Sequence, residues 1–253
     1  MTDIEYILDF ATKLGGRMLI CGANLERVDD TMYRVCVSYE LTDISIFSLS
    51  KLIMISAKTE EGDYASRQID VSAMDIHLEK LNHLNQLSRT VCSTTPDPKT
   101  LRGMLDEAEA VDDYPPAVMV IGKMIALSSL CVLFGGTLKD VIASDLISLV
   151  LIWMINFLFA KNLSNVMVNM LTMIFAAVAA VFLTNIGLGD QYFIIIINCS
   201  MLLVPGIPLV NAARNLLCGN EMNGILEGIK ALVETLAIAL GLIAGIYFFR
   251  GMI

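Results

Sequence analysis

Pro205-Gly206-Ile207-Pro208 interrupts the apolar stretch MLLVPGIPLVNAARNLLCG, from Met201 to Gly219, and gathers around it the groups best suited to chemistry. Proline has no amide donor and its ring clashes with the preceding turn, so two prolines around a glycine leave carbonyls unpaired and start a new half-helix. The amino end of that half-helix carries partial positive charge, which favours a carboxylate. Asn211 and Arg214 follow within two turns, and an arginine fork can hold a carboxylate through two hydrogen bonds. Asn198 lies just ahead of the break. These residues suit the binding of a carboxylate-bearing solute at a broken membrane helix, as in many transporters. A plainer reading stands beside it: a proline kink in a structural helix, with Arg214 at the membrane interface.

Other polar residues fall inside apolar stretches, where lipid cannot solvate them and they must face protein or water. They are Lys123, Asp145, Asn156, Asn169 and Glu234. Glu234 is the deepest and is a candidate proton carrier. Asp145 and Lys123 lie about one turn inside their stretches, so proton coupling and snorkelling to the interface are both open to them. The asparagines suit hydrogen bonds between helices.

The elements that position these groups follow from hydropathy. A hydrophobic content of 56% with 17% charged residues lies outside the soluble average, and the excess is confined to one half of the chain. Met1 to Asp113 holds 11 Lys+Arg and 20 Asp+Glu, whereas Tyr114 to Ile253 holds 6 of each. A helix needs about 20 apolar residues to cross the hydrocarbon core. Five stretches qualify: Ala117 to Phe134, Val141 to Ala160, Val166 to Ile186, Gln191 to Val210 and Ile225 to Phe249. Gly135-Gly136, Lys161-Asn162, Gly187-Leu188-Gly189 and Arg214 to Asn223 are the expected turns.

The predicted fold is thus an α-helical membrane protein of about five transmembrane helices, residues 114–253, preceded by a small acidic α+β cytoplasmic domain, residues 1–113. Asp112-Asp113-Tyr114-Pro115-Pro116 marks the boundary, since carboxylates avoid lipid and paired prolines stop a helix. Thr2-Asp3-Ile4-Glu5 is acidic where a signal peptide would be basic, which keeps the first domain cytoplasmic and, with five crossings, puts the C-terminus outside. The positive-inside rule supports this orientation only once Lys99 and Arg102 are counted.

Within the first domain, Ile4 to Ile20 has helical periodicity, with Gly15-Gly16 expected to loosen its end. Asn24 is placed to cap a second helix striped by Leu25, Val28, Met32, Val35 and Cys36. Ile44 to Leu49 and Leu52 to Ile55 read as strands. Ser72 to Val91 reads as a helix, and so does Pro98 to Ala110, with Asp97 as its cap. Six cysteines lack metal-ligand spacing and the histidines are only His77 and His83, so neither a metal nor another cofactor is expected. No nucleophile elbow or phosphate loop is present, so an enzyme is not the favoured reading. The acidity of this half argues against nucleic acid.

Two motifs in order, Gly22-Ala23-Asn24-Leu25-Glu26-Arg27-Val28-Asp29-Asp30-Thr31 and Leu203-Val204-Pro205-Gly206-Ile207-Pro208-Leu209-Val210-Asn211-Ala212 with Gly219 beyond, resemble those of the threonine/serine exporter family. The resemblance spans essentially the whole chain. It implies proton-driven secondary export of threonine or serine across the cell membrane. It also implies that a chain of this length is the longer subunit of a split exporter, acting with a second, small membrane subunit in a higher oligomer. Split relatives include chains similar to dicarboxylate exporters, so succinate is an alternative substrate. A rival from another class is a membrane-anchored regulatory or hydrolytic protein whose acidic domain does the chemistry.

Overall fold

The structure, a computed structural model, describes residues 2–49, 51–71, 76–110, 114–161 and 163–250, with the backbone alone at 249 and 250. The chain divides into two compact units, Met1–Asp113 and Tyr114–Ile253.

The first unit runs α1 (Asp3–Ile20), α2 (Leu25–Ser38), β1 (Thr42–Leu49), β2 (Leu52–Lys58), β3 (Tyr64–Asp70), α3 (Leu78–Thr94) and α4 (Leu101–Glu109). The strands form an antiparallel sheet in the order β1-β2-β3. Alternation on β2 buries Ile53, Ile55 and Ala57 against α1, while Met54 faces away. Helix α1 packs on α2, β2 and β3 through Leu8, Ala11, Leu14 and Met18, all fully buried. The turn into α2 needs the positive φ of Gly22, at 96°, and Asn24 then caps the helix by accepting the Glu26 amide at 3.3 Å. Asp29 of α2 takes a hydrogen bond from the Ser48 hydroxyl of β1, and burial raises its carboxyl above the usual aspartate range against that bond.

Several details depart from the sequence expectation. Gly15 and Gly16 lie buried in the last two turns of α1, and a Cβ on Gly15 would stand 2.6 Å from the Met32 sulfur. Gly15 allows α1 and α2 to approach, Gly16 faces Ile69 of β3, and neither loosens the helix. Helix α3 starts at Leu78, with His77 Nδ1 accepting the Lys80 amide at 3.2 Å; of the expected Ser72 start, residues 72–75 lie outside those described. Asp97 accepts the Lys99 amide at 2.9 Å and so organises a turn over 98–100, and α4 begins only at Leu101. Strand β3, unforeseen, is a polar edge strand: only Ala65 is buried, so its alternation is faint in sequence.

The second unit holds α5 (Pro116–Leu133), α6 (Leu138–Ala160), α7 (Asn165–Asn185), α8 (Tyr192–Ser200), α9 (Gly206–Leu217) and α10 (Glu221–Arg250). Among the described residues four helices, α5, α6, α7 and α10, are long and apolar enough to cross a membrane. The fourth expected span, Gln191 to Val210, is two shorter helices, α8 and the first part of α9. The last expected turn is also shorter, because α9 continues through Arg214 to Leu217. It ends at Gly219, whose φ of 83° is the left-handed conformation glycine accepts without strain.

Helix α10 packs along α7 and α9. Its buried positions Asn223, Glu227, Ala231, Glu234, Ile238, Gly241 and Gly245 recur at three- and four-residue steps, one seam of a helix. At the glycine end the backbones nearly touch: a Cβ on Gly241 would lie 2.5 Å from the Met170 carbonyl oxygen, and one on Gly245 2.7 Å from Ala177 Cβ. Close approach through small residues is how membrane helices gain contact area without a hydrophobic driving force between them. Large apolar side chains such as Leu149, Trp153, Phe182 and Leu240 face outward.

Candidate functional site

The helix break lies where the prolines put it. Helix α8 ends at Ser200, a turn carries the chain through Val204, and buried Pro205 leads into α9 at Gly206. Pro208, half-buried at the third position of α9, has no amide to satisfy, and Gly206 opens onto space a side chain would occupy. The Ile207 amide finds no acceptor among the described residues.

The polar residues expected at the break, Asn198, Asn211 and Arg214, and the proton-coupling candidates Asp145 and Lys123 separate into three groups. Asn198, fully buried on α8, faces α6 and donates to Ser144 Oγ at 3.0 Å, while its own Oδ1 is buried with no donor among the described residues. Asn211 is half-buried on α9 and Arg214 lies on that helix's exposed face. Asp145 on α6 is half-buried and accepts the Ser128 hydroxyl of α5 at 2.7 Å, while Lys123 is exposed on α5. No hydrogen bond joins Asn198 to Asn211 among the described residues. Asn156 is exposed and Asn169 is buried in α7.

Glu234 is buried on α10, where Asn165 Nδ2 of α7 donates to its Oε1 at 3.1 Å. Two turns earlier Glu227 is equally buried, at 7% exposure, and accepts the Asn215 amide of α9 at 3.2 Å. Asn223, one further turn back, is also buried. The amino-terminal half of the α10 seam is therefore a row of polar side chains enclosed by α9 and α7. A carboxylate in that setting is costly to keep charged unless hydrogen-bonded or protonated, which makes such a residue a natural proton or substrate site.

Glu227, Asn215 and Asn223 escaped the sequence reading. The signal was present as spacing: Asn223, Glu227 and Glu234 share a helix face, and Asn211 and Asn215 are one turn apart. Arg214, the more conspicuous residue, points about 100° around the helix from Asn215. Asp140 was also missed. It is fully buried at the start of α6, and its Oδ1 accepts the Asp190 and Gln191 amides at 2.8 and 2.9 Å while Oδ2 accepts the Thr137 amide. Those bonds tie the loop before α8 to α6, a positioning role.

Elsewhere, no group of three or more His, Cys, Asp or Glu side chains among the described residues could hold a metal. In the first unit Cys36 is buried and its thiol is pushed up to about 12, so it is no thiolate at neutral pH.

Comparison with known proteins yields one match. The family model described as "Putative threonine/serine exporter" (ThrE) matches residues 9–249, taking in both units. No curated protein and no solved structure matches the chain. With four apolar helices of spanning length and a family match over nearly its whole length, this multi-pass membrane protein belongs to the threonine/serine exporter family.

Proposed function

We propose that the chain is the longer subunit of a proton-coupled secondary exporter of threonine and serine in the cell membrane. In this reading it works with a second, small membrane subunit, in a higher oligomer, with residues 1–113 in the cytoplasm. The observation that carries the reading is the pair of buried carboxylates on the seam of α10, Glu227 against Asn215 and Glu234 against Asn165, on a helix whose remaining mid-helix charge, Lys230, is exposed. Glu234 is the leading proton carrier, with Asp145 second; Lys123, exposed on α5, is the weakest of the three candidates.

The substrate carboxylate is assigned to the break, with Pro205, Gly206 and Pro208 shaping it and Asn211 and Arg214 as polar partners. Asn198 is reassigned from substrate contact to the α6–α8 packing that holds the break in place. At 1.5 Å per residue α8 and α9 are about 14 and 18 Å long, neither spanning alone but together about 32 Å, close to the ~30 Å hydrocarbon core. The two therefore form a fifth, broken crossing, and the C-terminus lies outside.

Efflux of preloaded threonine, measured with and without the small membrane subunit and with succinate as competitor, tests the assignment. Threonine efflux requiring both proteins is the expected result. Succinate efflux in its place would move the chain to dicarboxylate export, and efflux of neither would refute the transport role. Arg214→Ala is expected to lower threonine efflux about 10- to 100-fold at equal insertion, the scale of one lost charge-assisted contact.

A further inference from the structure

In the motif running from Gly22 to Asp29 most residues have a task in the fold. Gly22 makes the turn, Asn24 caps α2, Val28 is fully buried and Asp29 ties α2 to β1. Arg27 has no such task. Its side chain is exposed and makes neither an ion pair nor a hydrogen bond among the described residues.

Arg27 instead lines a cavity of about 380 Å³ between α2 and α3, a volume within the range of small-molecule sites. Arg27, Thr31 and Arg34, at positions i, i+4 and i+7 of α2, form one wall together with Asp30, the one carboxylate in the lining; Asn85, Ser88 and Arg89 of α3 are on the other. The neutral groups turn back on their own helices. Thr31 donates to the Arg27 carbonyl at 2.7 Å, Asn85 to the Leu81 carbonyl at 2.7 Å and Ser88 to the Asn85 carbonyl at 2.8 Å. No hydrogen bond or ion pair joins the two walls among the described residues.

Charge makes this arrangement informative. Arg34 is matched by Asp30, which it grips through two contacts of 2.9 and 3.0 Å. Among the described residues no carboxylate pairs with Arg27 or Arg89, although residues 1–113 hold 20 Asp+Glu against 11 Lys+Arg. Like charges that line one cavity repel each other, and an anion bound between them would relieve that repulsion.

We propose that this cavity is a binding site for a small dianion, a phosphate group or a dicarboxylate, held between Arg27 and Arg89 with Arg34 as the third cation. The phosphate can belong to a soluble metabolite or to a phospholipid headgroup; the recognising chemistry is the same. Occupancy links α2 to α3 across the gap and gives the first unit a ligand of its own, independent of any transport site in the second.

The test is calorimetric titration of the full-length protein, in discs of neutral phosphatidylcholine, with inorganic phosphate and separately with succinate. Binding of at least one, weakening as salt rises, is expected. The exposed-face variant Arg27→Gln/Arg89→Gln should weaken it about tenfold or more, with helicity unchanged. Asp30→Asn should tighten it severalfold by releasing Arg34, a gain that a damaged fold would not produce. Loss of phosphate binding when phosphatidic acid is added to the discs identifies the headgroup as occupant, and retained binding identifies a soluble anion. No binding of either probe in neutral discs, or affinity unchanged in the double variant, overturns the proposal.

Discussion

In the first unit the fully buried side chains are mostly large and apolar, Leu8, Leu14, Met18, Leu25, Met32, Ile53 and Ile55, and the described charged residues are exposed or, like Asp29, at most half-buried. In the second unit Leu151, Met173 and Ile195 are buried too, but beside them sit Ala143, Ser144, Ser148, Ala176, Ala177, Asn198, Glu227 and Glu234, while leucine, isoleucine and phenylalanine crowd the exterior. The medium explains the difference. Water expels large apolar groups inward, whereas hydrocarbon is indifferent to them and leaves the interior to small residues that pack closely and polar groups that need partners. A buried carboxylate in the first unit would be an exception to explain; in the second, the interior is the only place for one.

The sharpest way to break this contrast is to place a charge on each exterior. Leu149→Arg, at the centre of α6 and facing outward, is expected to cost about 3 kcal/mol of membrane insertion, read as loss of inserted protein. Tyr64→Arg, equally outward on β3, should change thermal stability by no more than about 0.5 kcal/mol. Equal effects would mean that the two exteriors face the same medium.

A smaller effect separates the glycines. A Cβ on Gly241 meets the Met170 backbone carbonyl at 2.5 Å, which cannot yield, so Gly241→Ala should destabilise α7–α10 packing by about 1–3 kcal/mol in detergent unfolding. On Gly15 the neighbour is the Met32 thioether at 2.6 Å, a side chain with room to rotate. Gly15→Ala also gains about 1 kcal/mol of helix propensity, and the two terms should nearly cancel.

The smallest effect is electrostatic. Burial raises the folded-state pKa of Asp29 above the ordinary 3.8, so its contribution to stability is full below that pH and is lost as pH rises through the raised value. Asp29→Asn, which keeps an acceptor for Ser48, should flatten this part of the stability–pH curve, as measured by thermal melts from pH 3 to 7, about the window of a raised aspartate. An unchanged curve would show that the carboxyl is not desolvated.

The same contrast governs what could be read from sequence. In the first unit Ile4, Ile7, Leu8, Ala11 and Leu14 announce both a helix and its buried face, because only one face is apolar. In α6 or α10 nearly every position is apolar, so length reveals the helix while its inward face stays hidden. Only polar and small residues mark that face. Reading them singly picked out Glu234 and Arg214; reading their spacing would have joined Asn223 and Glu227 to Glu234 and preferred Asn215 to Arg214 as the contact to α10. The proline pair correctly located the break, but not that Asn198 turns from it toward Ser144, since that pairing crosses 54 residues of chain.

The proposed coupling of export to the proton gradient rests on a buried carboxylate of α10. Threonine efflux from loaded vesicles containing both subunits, driven by an imposed pH gradient, compares wild type with Glu234→Gln at equal insertion. Glutamine keeps the Asn165 hydrogen bond but cannot exchange a proton. The prediction is strong stimulation of wild-type efflux by the gradient and an indifferent response in Glu234→Gln, whereas a full gradient response in the variant would contradict the assignment.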